Sequence, residues 1–262
     1  MAINTKIKLL KKENLNKDIL KFTCLVPEIV EKALPGQFVE LRVSKTLEPF
    51  LRRPISIYNV DKLNNTIEFI FQIRGKGTQY LSEVEVGDMI DVVGPLGDGT
   101  FNIEDCKNIA IIGGGIGVFP LYELAKCANL ENKNVNTYLG FRNKDFVVLE
   151  DEFKNISTNL VIATDDGSYG KSGYAIQYLE EDLEKLNIDG IFACGPIPML
   201  KKVKELAESR NIYCQISLEQ RMACGIGACM GCSVKLNTKD DTVEYARVCK
   251  DGPVFESTKV DI

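Results

Sequence analysis

The sequence predicts a multi-domain protein: a small antiparallel β-barrel, then a doubly wound, parallel-sheet α/β domain, then a short cysteine-rich appendage. Three observations predict it. Up to about residue 100, short alternating strands follow one another with little helix between them. From about Asn108, strands alternate with helices, the pattern of a parallel sheet covered on both faces. Beyond residue 217, three cysteines and three glycines crowd into RMACGIGACMGCSVK. The boundaries are drawn at 1–101, 102–216 and 217–262. With 262 residues, 45% of them hydrophobic, the chain has apolar material for two cores.

In the first part, KIKLLKKENLNKDILKFTCLV, GQFVELRV, PISIYNV, TIEFIFQIR and GDMIDVVGPLG read as strands, bounded by Pro, Gly, Asn or Asp. KGTQYLSEV is the one helical interruption. In the second part NIAIIGG is a buried strand, FPLYELAKCANL a helix, and NVNTYLGF and LVIATDD strands. AIQYLEEDLEKL is an amphipathic helix, GIFACGP a strand, PMLKKVKELAESR a helix and IYCQISLE a last strand. In such sheets ligands bind at the carboxyl ends of the strands, where the glycine-rich loops also fall.

Composition removes several function classes. A net charge of −5 supplies no attraction for nucleic acid or an anionic membrane. The longest apolar stretch, IAIIGGGIGVFPLY, is too short and glycine-rich to span a bilayer, and MAINTKIKLLKKENLN lacks a signal-peptide pattern, so a cytoplasmic location is expected. There is no histidine. That excludes Ser-His-Asp and Cys-His nucleophilic catalysis, His-ligated zinc and a His general base. Hydride and electron transfer by cofactors fit what remains.

Cys224, Cys229 and Cys232 are spaced C-x4-C-x2-C, with Cys249 following in ARVCKDG. This is the plant-ferredoxin spacing for a [2Fe-2S] cluster. Gly225, Gly227 and Gly231 permit the backbone angles of a loop wrapped round a cluster, with N–H groups aimed at sulfur. The rival is structural zinc, which usually comes as two C-x2-4-C knuckles, whereas Cys224 and Cys249 have no close mate. Cys24, Cys106, Cys127 and Cys214 lie in strand or helix contexts and read as small buried hydrophobes.

IIGGGIGVFPLYEL runs strand, glycine loop, helix, so Gly113, Gly114, Gly115 and Gly117 would let a pyrophosphate approach the backbone. It is not the G-x-G-x-x-G fingerprint, and a plain packing turn is the alternative. ATDDGSYGKSGY, with Asp166 and Gly167, follows the third strand of the sheet, within reach of a bound nucleotide. FACGPIPML ends a strand at Cys194, beside Gly195 and Pro196. Cys194 is either a core thiol or, at that strand end, a contact for a nicotinamide. In the first domain FLRRPISIY carries Arg53 and Ser56, and RGKGTQYL puts Gly77 and Thr78 at a helix start. A guanidinium with helix-start N–H groups makes a cradle for a cofactor pyrophosphate; a solvated basic turn is the alternative.

A barrel with R-P-I-S and G-K-G-T, followed by G-G-G-I-G, D-D-G-S-x-G and C-G-P, resembles the ferredoxin–NADP⁺ reductase-like flavoproteins. With the C-x4-C-x2-C…C tail, the whole length resembles the electron-transfer subunits of B-type, NAD-dependent dihydroorotate dehydrogenases. The resemblance implies FAD on the barrel, with Arg53, Pro54, Ile55 and Ser56 lining the isoalloxazine and pyrophosphate. It implies Ile70, Phe71 and Gln72 on the neighbouring strand, and Gly77 and Thr78 at the phosphate helix start. Ile55 stands where the wider superfamily carries a tyrosine that stacks on the flavin. The four tail cysteines match the family's cluster ligands one for one.

The resemblance also implies a route. Electrons would pass from the FMN of a separate catalytic subunit, where dihydroorotate becomes orotate, through [2Fe-2S] and FAD to NAD⁺. The expected assembly is a heterotetramer with two copies of each subunit. On the cofactor choice, GFRNKDF offers Arg142 and Lys144 to a 2′-phosphate and Asp145 against one, and NAD is preferred. Two other readings stay open: a subunit of an NADH-dependent ferredoxin:NADP⁺ oxidoreductase or sulfide dehydrogenase, and a non-enzymatic redox or nucleotide sensor.

Overall fold

A computed structural model describes residues 2–44, 46, 48–238 and 242–262. The chain divides into two compact units, one of residues 1–100, 219–233 and 246–253, the other of residues 101–218, 234–245 and 254–262.

The first unit is a closed antiparallel barrel of β1 (Ile3–Asn14), β2 (Ile19–Leu25), β3 (Phe38–Leu41), β4 (Arg53–Asp61), β5 (Thr66–Gln72) and β6 (Met89–Leu96). Its strand order is β1-β2-β5-β4-β3-β6, and β6 pairs back onto β1. Closure removes both sheet edges. Alternation sends Ile7, Leu9, Phe22, Val39, Leu41 and Phe69 inward to one core. The short α1 (Pro27–Val30), which the sequence pattern did not single out, buries Ile29 and Val30 against that core. The expected helix after β5 is α2 (Lys76–Ser82), and it buries Leu81.

The tail segments of this unit are fastened to the barrel's last turn. The Asp98 and Gly99 N–H groups donate to the carbonyls of Lys250 and Gly252 at 2.8 and 3.0 Å, and Lys250 pairs with Asp98 at 2.7 Å. Gly97, at φ +90°, is required there: a Cβ would lie 2.5 Å from the Pro253 ring.

The second unit is a seven-stranded sheet. It contains β7 (Asn108–Gly114), β8 (Asn134–Phe141), β9 (Asn159–Thr164), β10 (Lys171–Ser172), β11 (Gly190–Cys194) and β12 (Tyr213–Ser217). Of the tail strands β13 (Ser233–Lys235), β14 (Tyr245–Arg247) and β15 (Val254–Glu256), only β15 joins this sheet. The order is β10-β9-β8-β7-β11-β12-β15. All pairings are parallel except the last, in which the tail strand β15 runs antiparallel to β12. That antiparallel edge modifies the all-parallel sheet expected from the strand–helix alternation. Helices α3 (Leu121–Leu130), α4 (Glu150–Lys154), α5 (Ala175–Leu183) and α6 (Ile197–Arg210) accompany it. α3 buries Leu121, Leu124, Ala125 and Ala128, and α6 buries Leu200, Val203 and Ala207, each a single helical face. The connections reverse direction between β7 and β11, which places a crevice at the carboxyl ends of those strands. No helix among the described residues is long and apolar enough to cross a membrane.

Candidate functional site

The four tail cysteines fall into two pairs. The Cys249 N–H points at Cys232 Sγ, 3.4 Å away, and the Gly227 N–H donates to Cys249 Sγ at 3.2 Å. Both Cys232 and Cys249 are buried. Burial together with the Cys232 thiol and its charge pushes the Cys249 thiol up to about 12. At the other pair, burial of Cys224 opposes its thiolate. The N–H groups of Ile226, Cys229 and Ala228 and the Cys229 thiol outweigh that and hold Cys224 down at about 6. Cys229 is exposed, flanked by Ile226 and Met230, both more than half exposed. Gly225 and Gly227 adopt φ +68° and +83°, angles that turn N–H groups towards the sulfurs.

Among the described residues no three His, Cys, Asp or Glu side chains converge as a mononuclear site requires. Two thiol pairs are the donor set of a two-iron centre, with two thiolates for each iron, and the chain's residues fit a [2Fe-2S] cluster on that ground. Arg247, which the sequence reading passed over, braces the loop: its guanidinium donates to the Gly227 carbonyl at 2.9 Å and pairs with Asp251 at 2.8 Å. Burial pushes the thiols of Cys24 and Cys214 up to about 12 and that of Cys127 to about 11, and raises Cys106. Cys24, Cys106 and Cys214 are buried as expected, and Cys127 is half-buried.

On the barrel, R-P-I-S and G-K-G-T come together. The Arg53 guanidinium lies against Gly77, where a Cβ would overlap Nε and sit 2.6 Å from Cζ, so only glycine admits this arrangement. Thr78 Oγ1 accepts from the Arg74 N–H at 2.9 Å and the Gly75 N–H at 3.3 Å, closing the turn before α2. Alternation then divides the remaining flavin candidates. Ile55 and Phe71 belong to the barrel core, with Phe71 edge-on to Phe22 at a ring separation of 5.0 Å. Pro54, Ser56, Ile70 and Gln72 fall on the outward face. Ile55 and Phe71 thus back a cofactor wall from inside instead of facing it, because a strand cannot present consecutive side chains to one side. The Arg53–Gly77 cradle and the outward face fit a dinucleotide flavin.

A residue absent from the sequence reading lies on the same outward face. Glu40 of β3 stands opposite Pro54 of β4. It is 2% exposed, and both carboxyl oxygens lack a hydrogen-bond partner. A Cβ on Gly225 would lie 2.5 Å from Glu40 Cγ, so the cluster loop rests directly on this side chain. Burial pushes the Glu40 carboxyl up to about 7; Arg52 and Arg53 pull it down and Cys224 adds to the rise.

In the sheet unit a cavity of about 400 Å³ opens at the switch point. Gly114, Gly115 and Pro196 line it, with Arg142, Asp165 and Tyr174. Gly113, Gly117, Cys194 and Gly195 lie behind it. A Cβ on Gly117 would fall 2.5 Å from the Cys194 carbonyl oxygen, and Cys194 itself is 1% exposed. Asp165, not Asp166, reaches the cavity: Asp166 accepts the Ser168 N–H at 2.9 Å and closes its own turn, and Gly167 packs on Ser172. Lys144 and Asp145 sit in a short 3-10 turn (Lys144–Phe146) and do not line the cavity. The charges at its wall are Arg142, Asp165 and Lys202. Lys202 also lies over the Tyr174 ring, 5.7 Å from its centroid.

Comparison with known proteins matches three family models: an oxidoreductase FAD-binding domain over residues 6–101, an oxidoreductase NAD-binding domain over 111–205, and the iron-sulfur cluster binding domain of dihydroorotate dehydrogenase B over 219–261. The chain is 42% identical over 250 residues to the dihydroorotate dehydrogenase B (NAD(+)) electron transfer subunit of Fusobacterium nucleatum, covering 94% of each. It is 38% identical over 258 residues to that of Lysinibacillus sphaericus, covering 97% of each. Among solved structures, one of an NADH-dependent reduced ferredoxin-NADP oxidoreductase is similar with a TM-score of 0.86 and 32% identity, over 97% of this chain and 89% of that one.

Proposed function

The chain belongs to the electron-transfer subunits of dihydroorotate dehydrogenase B, and from that premise we propose that it relays electrons from the FMN of a catalytic partner subunit to NAD⁺. The observation that carries this reading is the pairing of four thiols, three of them in a loop seated on the strand pair that bears R-P-I-S and the fourth, Cys249, brought in from a later segment. When bound, FAD exchanges a hydride with NAD(H) and single electrons with a [2Fe-2S] cluster, which joins a two-electron to a one-electron carrier.

The chain's own residues hold these groups apart and oriented. Cys224, Cys229, Cys232 and Cys249 ligate the cluster, and the Gly227 N–H steadies Cys249 Sγ. Arg53 with the turn at Gly77 and Thr78 holds the flavin pyrophosphate, while Pro54, Ser56, Ile70 and Gln72 form the wall beside the ring. Gly114 and Gly115 leave the backbone open to the NAD pyrophosphate, and Gly117 lets that turn close onto β11. Asp165 accepts from the adenosine ribose hydroxyls, which favours NAD over a 2′-phosphorylated dinucleotide. The exposed edge at Ile226, Cys229 and Met230 faces the catalytic partner, and two copies of each subunit form the assembly. No residue of this chain touches dihydroorotate.

The test is a visible spectrum of anaerobically purified protein before and after NADH. Flavin bands with a broad iron–sulfur shoulder, both bleached by NADH, are expected. A protected sample with flavin bands and no shoulder would point to zinc, and a colourless protein indifferent to NADH would end the enzyme reading. The oxidoreductase similar at 32% identity shares the architecture. Orotate-linked turnover with the purified catalytic partner separates the two activities.

A further inference from the structure

Cys249 reaches the other three tail cysteines from a separate segment, and the two segments must be held in register for the thiols to pair. The turn that carries Cys249 is built on Arg247. The Arg247 carbonyl accepts the N–H groups of Lys250 and Asp251 at 3.0 and 2.8 Å, and the Arg247 N–H donates to Asp251 Oδ2 at 2.8 Å. The same carboxylate fixes the guanidinium: Nε donates to Oδ2 and Nη2 to Oδ1, both at 2.8 Å. A planar fork engaged on two oxygens leaves its third nitrogen aimed in a set direction. That nitrogen, Nη1, donates to the Gly227 carbonyl at 2.9 Å, in the loop that carries Cys224, Cys229 and Cys232.

Gly227 is where this loop meets the sulfurs. Its N–H donates to Cys249 Sγ at 3.2 Å. Its carbonyl belongs to the following peptide, whose N–H is that of Ala228 and points at the Cys224 thiol. The guanidinium therefore holds one end of a planar amide whose other end serves a thiol, and a bond accepted at the carbonyl strengthens the N–H as a donor. The glycine has no slack: at φ +83°, a Cβ would stand 2.8 Å from Lys250 Cβ and 3.3 Å from Arg247 Nη1. One contact thus orders a donor to each of the two thiol pairs. Stability alone does not account for it, because Arg247 and Asp251 are 33% and 38% exposed and an ion pair so placed contributes little.

Iron–sulfur potentials depend on hydrogen bonds to the sulfurs, and N–H donors stabilise the negative charge that reduction adds. We propose that Arg247 is a positioning residue of the cluster: fixed by Asp251, it holds the Gly227 carbonyl so that the N–H groups of Gly227 and Ala228 stay on Cys249 and Cys224, which raises the cluster's electron affinity. The inference rests on the reading of the four cysteines as [2Fe-2S] ligands. The guanidinium stays charged at every working pH, so no titration is involved. Its charge is offset by Asp251, so the effect is one of position.

The experiment is a redox titration of the full-length chain, purified with its FAD and cluster, followed by electron paramagnetic resonance. Wild type, Arg247→Gln and Arg247→Lys are compared, with iron and flavin contents measured on the same samples. Reduced samples exchanged into deuterated water also give, by pulsed resonance, the amide deuterons coupled to the cluster. The glutamine variant is expected to shift the cluster midpoint negative and to weaken those couplings, with the flavin couples unmoved. The lysine variant, which keeps the charge without the fork, is expected to shift the same way, and it carries the test if the glutamine variant fails to load its cluster. A lysine midpoint equal to or above wild type would overturn the proposal, since charge alone would then suffice. Unchanged deuteron couplings in the loaded variants would overturn it too, and so would loss of iron from both, which would make Arg247 a residue of assembly only. Absence of a reduced [2Fe-2S] signal from wild type would instead overturn the cluster reading itself.

Discussion

The two units build their sites by different means. In the sheet unit the site is backbone: strands β7 and β11 end side by side, and glycines stand where the chain must bend or touch itself, as Gly117 does against the Cys194 carbonyl. In the barrel unit the site is made of side chains brought together from distant segments. Arg53 meets Gly77, Glu40 meets Gly225, and Arg247 braces the loop at Gly227. A backbone site is local and tolerates exchange of most neighbours. A side-chain site depends on the packing that assembles it, so one substitution reaches further.

The largest test of that difference is Cys224→Ser. Losing one of four ligands should remove the cluster shoulder from the spectrum and lower NAD-linked turnover with the catalytic partner by more than about a hundredfold, since changes even one shell out cost about 10–100-fold. NADH reduction of the flavin should survive, because hydride exchange between nicotinamide and flavin does not pass through the cluster. Turnover intact without the cluster would refute the proposed route.

Gly117→Ala breaks the backbone site. Its methyl would press on the carboxyl end of β11, at 2.5 to 2.6 Å from main-chain atoms that cannot swing aside. An increase of about tenfold in KM for NADH is expected, about 1.4 kcal/mol, with flavin and cluster spectra unchanged. Gly77→Ala is the counterpart in the barrel, where the new methyl displaces the Arg53 guanidinium, the mobile end of a side chain. FAD affinity, measured by reconstitution and fluorescence, should fall several-fold and less than tenfold, about 1 kcal/mol. If the alanine at 117 proves the milder of the two, the contrast between a stiff and a yielding neighbour fails.

Smaller effects sharpen the comparison. Asp165→Asn should raise KM for NAD⁺ by about fivefold, within the roughly 0.5–1.5 kcal/mol of one hydrogen bond, and narrow the preference over NADP⁺. An unchanged ratio would move specificity elsewhere. Ile226→Ala, on the exposed cluster edge, should weaken binding of the catalytic partner by less than about 1 kcal/mol, as most interface positions do, with the cluster spectrum intact.

Much of this was legible in the chain itself. The element order was, because periods of two and 3.6 and their glycine and proline punctuation are written residue by residue. The cluster spacing, the glycine loop and the R-P-I-S strand were equally local. What was not legible is instructive at particular residues. Asp166 is the acid the motif offers, yet the turn at Ser168 takes its carboxylate, and Asp165 lines the cavity instead. Ile55 and Phe71 sat inside their motifs, yet alternation gives them to the barrel core. The tail reads as one domain and matches one family model over 219–261, while its segments fall in two compact units and β15 joins the sheet as an antiparallel edge. Where such a segment will dock depends on surfaces it does not encode.

Glu40 marks the division most sharply. In GQFVELRV it alternates with Val39 and Leu41, and by that pattern an acidic residue at position 40 belongs to solvent. The sequence by itself determined the two cores, the order of their elements and the spacing of the four tail cysteines, since periodicity and spacing act over a few residues. Only the tertiary structure decided that a loop from residue 225 would cover Glu40 and leave its carboxyl buried without a partner. Burial is a property of what packs on a residue, and here the covering chain lies far away in sequence.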